Sequence, residues 1–485
     1  MKITDLEPKL VWAAFDEITK VPRPTHHLDK MRVFLLDWAK RHGIEAESDA
    51  VGNVVMRIPA TPGHEQAPVV VLQGHQDMVA EKLPEVRHDF LEDPITTVVD
   101  GDWVRAEGTT LGADNGLGCA SAMAILIDPD LVHGPLEALF TVDEEQGLIG
   151  ANGLQAGFIT GDILLNLDSE EMGQLVIGCA GGKVTECRLP YRMEETPSNY
   201  DCYMVKLTGL KGGHSGMEIG MGRANANQQL ARALWEADRH VTNVEVVEID
   251  GGGLANAIPR DAHAIVAISR DAAEDFKTFI KEFNDRLHAE FGLAENPDFA
   301  LTARKVERRA KIIASETSHR LVAAIFACPN GVQGMSLAIE GLIETSCNLA
   351  SVKMVENDTI LITVHQRSSV DSRRDEIADR ISALFGMIGA DVTFDDAYVG
   401  WSPNPQSRVL KVAKEAYHDL FKAEPKVEAL HAGLECGLFL EKMPSLDMVS
   451  FGPTLKNIHS PSERADIQSV GEFYRLLKDV ITRLA

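Results

Sequence analysis

The sequence predicts an α/β fold, a sheet flanked by helices, with an α+β domain inserted into it. Four short apolar runs, PVVVLQ, LEALFTV, DILLNL and LDMVSFG, are too short for helices and rich in residues that suit buried strands. The stretch NGLGCASAMAILI between them has helical character, so strands and helices alternate. The segment 186–397 changes pattern: DCYMVKLTG, DAHAIVAIS and TILITVHQRS read as half-buried strands, separated by helical stretches such as ANQQLARALWEADRH and RDEIADRISALFGMIG.

Taken in order, the chain opens with two amphipathic helices. Val11, Trp12, Phe15 and Ile18 share one face of the first; Leu28, Met31, Phe34, Leu35 and Trp38 line the second, with Gly43 as its stop. Both are expected to cover one face of the sheet. The apolar runs follow, then the inserted segment, and the last stretch ends in a helix with Val470, Phe473, Leu477, Val480 and Leu484 at helical spacing. At 485 residues and 53.0 kDa the chain exceeds what one hydrophobic core usually supports. Two domains are expected, a discontinuous one from residues 1–185 and 398–485 and an inserted one from 186–397.

Charge and cysteine usage exclude several functions. The net charge of -26, from 47 Lys+Arg against 73 Asp+Glu, repels phosphate backbones, and no basic tract offsets it. Nucleic acid is therefore not an expected partner. The opening MKITDLEPKLVWAAF has too short an apolar run for a signal peptide or a membrane span, so no membrane is expected and the location read is cytoplasmic. Seven cysteines without CxxC spacing fit neither a disulfide framework nor a sulfur-ligated zinc site.

The chemistry gathers just past the strands: His75 and Asp77 in VVVLQGHQDMV, Asp114 in TTLGADNG, Glu144 and Glu145 in LFTVDEEQG, Asp168 in LLNLDSEE, and His459 in GPTLKNIHSP. In α/β sheets ligands collect at the carboxyl edge of the strands, so one rim could hold them all. If His459 shares a site with His75, the first domain is built from both ends of the chain. Two imidazoles and several carboxylates suit zinc and neighbouring divalent ions. The strand period puts His75 and Asp77 on one side, where an acid can accept the second imidazole N–H and fix its tautomer. A single carboxylate such as Asp114 can bridge two cations through its two oxygens. Of the Glu pair, one can bind metal while its neighbour takes a proton from water, and the residues alone leave the order open. Glu170 and Glu171 read as solvated charge. Rival motifs fail: GCAGGKV lacks P-loop spacing, GGHSGM is not a nucleophile elbow, and HExxH is absent.

This order of residues resembles the M20 metallopeptidase family, and within it the aminoacyl-histidine dipeptidase branch. GTTLGADNG, NLDSEE, GCAGG, LKGGHSG, NAIPR, PNGV, HAGLECGLF and GP followed by HSP carry the resemblance across nearly the whole chain. It implies a mixed-sheet zinc-peptidase domain with the inserted domain as lid and dimerisation surface of a homodimer. It implies two zinc ions, with Mn2+ or Co2+ as substitutes: His75 and Asp168 on one, Glu145 and His459 on the other, Asp114 bridging, and a cis peptide after Asp114. Asp77 orients His75, and Glu144 serves as general base and then general acid. His214 contacts the substrate carbonyl oxygen, Asn256 and Arg367 hold its terminal carboxylate, and Glu435 lies near its amino end. The implied reaction is hydrolysis of Xaa-His and other unblocked dipeptides by a hydroxide bridging the metals. An M20-type deacylase or carboxypeptidase acting on N-acyl amino acids is the alternative, and a non-catalytic peptide-binding protein a more distant one.

Overall fold

A computed structural model gives the fold; it describes residues 1–485, with residue 396 described at the backbone only. The chain forms two compact units, one from Met1–Gly178, Pro403–Ala429 and Leu434–Ala485, the other from Cys179–Ser402 and Leu430–Gly433.

The first unit is built on an eight-stranded mixed sheet. Its spatial order is Glu45–Ser48, Val54–Ile58, Leu136–Thr141, Val70–His75, Ile163–Asn166, Asp447–Ser450, Gln174–Cys179 and Lys426–Leu430. The four strands from Leu136–Thr141 to Asp447–Ser450 run parallel, and three of them are buried at every residue, which is why they read as continuous apolar runs. One of the four comes from the far end of the chain, so both ends share one core. Their registers align the carboxyl ends: His75 faces Thr141, Gln73 faces Asn166, and Asn166 faces Ser450.

Helices flank this sheet. Lys9–Ile18 buries Trp12, Phe15 and Ile18 completely, and each such side chain contributes roughly 1.5–3 kcal/mol. Asp29–His42 ends at Gly43, whose φ of 70° suits a glycine stop. Helix Ala113–Ile127 is buried from Ala113 to Leu126 and rich in Gly, Ala and Ser. Its small residues allow close approach: a Cβ on Gly118 would sit 2.4 Å from the Leu167 carbonyl oxygen. A separate four-stranded sheet joins Leu455–Lys456, Arg464–Asp466, Trp103–Ala106 and Thr97–Asp100, again combining the two ends of the chain.

The second unit carries a nine-stranded sheet whose strand pairings among the described residues are antiparallel, from Ala300–Val306 at one edge to Asp391–Tyr398 at the other. Tyr203, Val205 and Leu207 point to a core shared with helices Ala226–His240, Ala273–Phe291, Ser315–Ala327 and Asp371–Met387; Cys202 and Met204 point to a smaller cluster with Ile312. This alternation is the half-buried pattern of the sequence. Among the described residues, no helix is long and apolar enough to cross a membrane, no disulfide forms, and all seven cysteines are buried.

Candidate metal centre

The parallel strands deliver their side chains to one rim of the first unit. His75, the last residue of its strand, is 1% exposed and points Nε2 at two carboxylates, Asp114 Oδ1 at 3.1 Å and Asp168 Oδ1 at 3.4 Å. Its Nδ1 lies 3.2 Å from Asp77 Oδ1, off the line of a good hydrogen bond. Asp77 also accepts from the backbone N–H groups of Glu144 and Glu145 and from the Thr25 hydroxyl, so the carboxylate beside the histidine also holds the backbone of the Glu pair.

Asp114 does not cap its helix; Gly112 takes that position with a φ of 68°. The two Asp114 oxygens instead face two imidazoles, Oδ1 toward His75 and Oδ2 toward His459 Nε2 at 3.2 Å. The Asp114–Asn115 peptide is cis. His459 Nε2 also lies 3.0 Å from Glu145 Oε2. Two groups result, His75 with Asp114 and Asp168, and Asp114 with Glu145 and His459, the ligand atoms of each lying within 4.8 Å of one another.

These donors fit a pair of divalent cations. Each histidine aims one nitrogen between two carboxylates, and buried Glu145 Oε1 has no hydrogen-bond partner. Acidic groups outnumber the imidazoles, and the electrostatics record the excess. Burial pushes Asp168 up to about 6 against the pull of His75, and holds Glu144 well above the carboxylate range, where Asp168, Glu435 and Glu145 add to the effect and His75 opposes it. Hydrogen bonds to Asp114 and Glu145 push His459 up to about 11. Asp114 moves the opposite way: burial alone raises it, but its bonds with both histidines hold it below the usual range. A cation between these oxygens removes the repulsion that burial amplifies.

Two supporting residues, Arg23 and Asn115, escaped the sequence reading, whereas Glu435 was already singled out there by its motif. Arg23, 2% exposed, donates to the carbonyls of Gln76 at 2.9 Å, Asp77 at 2.8 Å and Gly112. Asn115 accepts from the His75 N–H and donates to the Leu167 carbonyl, tying two ligand-bearing strand ends to one side chain. Glu435, 1% exposed, accepts from Gln73 Nε2 at 2.6 Å and Thr141 Oγ1 at 2.8 Å; its Oε1 is unpaired and burial pushes its carboxyl up to about 7. The bonds of Arg23 and Asn115 run to backbone groups, so no sequence spacing announces them.

The second unit holds the other expected residues. Gly213–His214 pairs with Ala257–Ile258, which sets Asn256 beside His214; the Asn256 carbonyl accepts from the Ser215 N–H, while the Asn256 residue itself is exposed. His214 Nδ1 accepts from the N–H groups of Gly216 and Met217, which leaves the proton on Nε2. Burial, and then Arg367, lower its pKa and keep it neutral. Arg367 is 5% exposed, donates Nη1–H to the Tyr398 hydroxyl at 2.8 Å, and has a buried Nε without a partner. Two histidines that the sequence reading passed over influence this cluster, His365 and His431, pushed down to about 3 and about 4 by burial and then by Arg367. The pattern HQR held a signal for His365, since residues two apart on a strand share a face.

A mixed α/β sheet whose parallel strand ends bear two histidine–carboxylate groups around one shared aspartate defines a class, the α/β metallohydrolases. Within it, the chain belongs to peptidase family M20/M25/M40, whose sequence profile matches residues 71–483. It is 39% identical over 485 residues to the cytosol non-specific dipeptidase of Escherichia coli strain K12, covering 100% of this chain and 99% of that protein. Aminoacylhistidine dipeptidase from Vibrio alginolyticus superposes with a TM-score of 0.94 at 39% identity, covering 100% of this chain and 98% of the other. Aminopeptidase PepT from Bacillus cereus shares the fold alone, with a TM-score of 0.58 at 16% identity over 99% of each chain.

Proposed function

We propose that this protein is a di-zinc dipeptidase, cleaving Xaa-His and other dipeptides with free ends. The observation that carries the reading is Asp114, whose two oxygens stand 3.1 and 3.2 Å from the imidazoles of two separate ligand groups. The names of the relatives from Escherichia coli and Vibrio alginolyticus support the substrate class. His75 and Asp168 would hold one ion and Glu145 and His459 the other, with Asp114 shared between the two groups and Asp77 orienting His75. Bound ions supply Lewis acidity toward the scissile carbonyl and toward the attacking water.

The residues perform the remaining work. Glu144 takes the proton of the attacking water on its carboxylate and returns it to the leaving amine. His214 donates Nε2–H to the carbonyl oxygen as negative charge develops there. Arg367 pairs its unpartnered Nε with the terminal carboxylate, with Asn256 beside it, and Glu435 offers Oε1 to the amino end. Residues 1–185 and 398–485 serve as catalytic domain and 186–397 as lid and dimer surface, in a cytoplasmic homodimer.

The test is a panel of Xaa-His dipeptides, their N-acetylated forms and N-acyl amino acids, assayed with zinc and with chelator. Zinc-dependent cleavage confined to unblocked dipeptides supports the reading. Faster cleavage of the N-acyl compounds replaces it with a deacylase, and no cleavage at all replaces it with a binding protein.

A further inference from the structure

The turn bearing Asp114 is gripped by a side chain four residues past His459. Glu463 is 2% exposed, and its oxygens accept four consecutive backbone N–H groups: Leu111 at 2.8 Å and Gly112 at 3.0 Å on Oε2, Ala113 at 2.7 Å and Asp114 at 3.3 Å on Oε1. A carboxylate this buried is stable only where such donors replace its water, and here they are the two amides that lead into helix Ala113–Ile127 and the first two within it. Arg23 holds the opposite side of the same turn through the Gly112 carbonyl. Nothing larger fits between, since a Cβ on Gly112 would lie 2.5 Å from Arg23 Nη2.

The path of the chain explains the arrangement. Arg464–Asp466 pairs with Trp103–Ala106, so the segment after His459 is anchored beside the segment that leads into the Asp114 turn. His459 itself has a φ of 58° and Asn457 one of 55°, conformations that L-residues adopt sparingly. The shape of this loop therefore depends on its anchors.

We infer that Glu463 is a positioning residue for the second ligand group: its carboxylate ties the loop carrying His459 to the turn carrying Asp114, so that both reach one cation together. The second group draws two of its three ligands from segments that Glu463 joins; the first draws one, while His75 and Asp168 stand at strand ends held by the sheet, Arg23 and Asn115. The inference rests on the two-cation reading above.

Stepwise titration of the metal-free full-length protein with Co2+, followed by visible absorption and calorimetry, separates the two sites. Wild-type protein should take up two equivalents, which tests the two-cation reading by itself; uptake below two removes that reading and the inference with it. His459→Ala and Asp168→Ala identify the binding step of each group. In Glu463→Gln, the step lost in His459→Ala should weaken by about 10–100-fold, and the step lost in Asp168→Ala by less than about threefold, the scale seen when ligand-orienting partners are removed. Glu463→Asp, which keeps the charge, should recover part of the loss. Equal weakening of both steps, or wild-type binding at both, overturns the inference. So does loss of the folded far-UV spectrum in both Glu463 variants before any metal is added, because Glu463 then serves folding alone.

Discussion

Glu144 and Arg367 are the residues whose proposed chemistry separates most cleanly from the rest of the site. Glu144 lies next to Glu145 without belonging to either histidine–carboxylate group, so on the proposed reading Glu144→Gln should bind its metals normally and lose about 10²–10⁴-fold in kcat, the usual share of general acid–base catalysis. Metal content measured on the same sample as the rate checks this; a fully loaded variant with normal turnover removes Glu144 as the base. The role proposed for Arg367 rests on its unpaired buried Nε. Arg367→Ala should raise KM for dipeptides by about 10–100-fold, since a hydrogen bond to a charged group is worth about 1.5–3 kcal/mol, and leave the C-terminal amides of the same dipeptides little changed. Equal losses on both substrates contradict the assignment. At this scale the sequence showed the members of the two histidine–carboxylate groups, because side chains that suit a divalent cation are restricted to a few types such as His, Asp and Glu. It did not show Arg23, Asn115 or Glu463, whose partners are mostly main-chain atoms that belong to no motif.

At the level of elements, packing decides against propensity in the helix Ala113–Ile127. Alanine is the better helix former at Gly118 by about 1 kcal/mol, yet its Cβ would press on the Leu167 carbonyl at 2.4 Å, and overpacking costs about 1–3 kcal/mol. Gly118→Ala should therefore destabilise in chemical unfolding, whereas Gly386→Ala, in helix Asp371–Met387 with nothing within 4 Å, should stabilise by about 0.5–1 kcal/mol. The same sign for both substitutions contradicts this account. Strand Thr359–Ser368 supplies a pH test. His365 at about 3, and His431 in its neighbourhood at about 4, are neutral in the fold, while unfolded histidine titrates near 6.5. Their contribution to stability is fully present above about pH 6.5 and is lost as pH falls toward 4 and 3. Thermal unfolding from pH 7 to 4 should fall less steeply in His365→Gln than in wild type; equal slopes contradict it. The strands of the first sheet were legible because burial on both faces makes them uniformly apolar. The small sheet that joins Trp103–Ala106 to Arg464–Asp466 was not, since its strands are too short and mixed to show a period.

For the whole molecule, the consequence of this topology is that one site depends on both ends of a long chain. Asp447–Ser450 lies beside Ile163–Asn166, and His459 meets Asp114 across 345 positions of sequence. The alternating strands and helices made this fold class readable from the sequence, and the far-apart histidines made the discontinuous first unit a requirement of any shared site. Cations bound only in the folded state stabilise it by mass action. Removing them by chelation should lower the melting temperature, and a melting temperature indifferent to chelator argues that the carboxylates neutralise one another by protonation instead. The most direct measurement is an anomalous difference map from crystals grown with zinc. The account predicts two peaks, one bonded to His75 and Asp168, the other to Glu145 and His459, with Asp114 touching both. A single peak, or peaks away from Asp114, would contradict it.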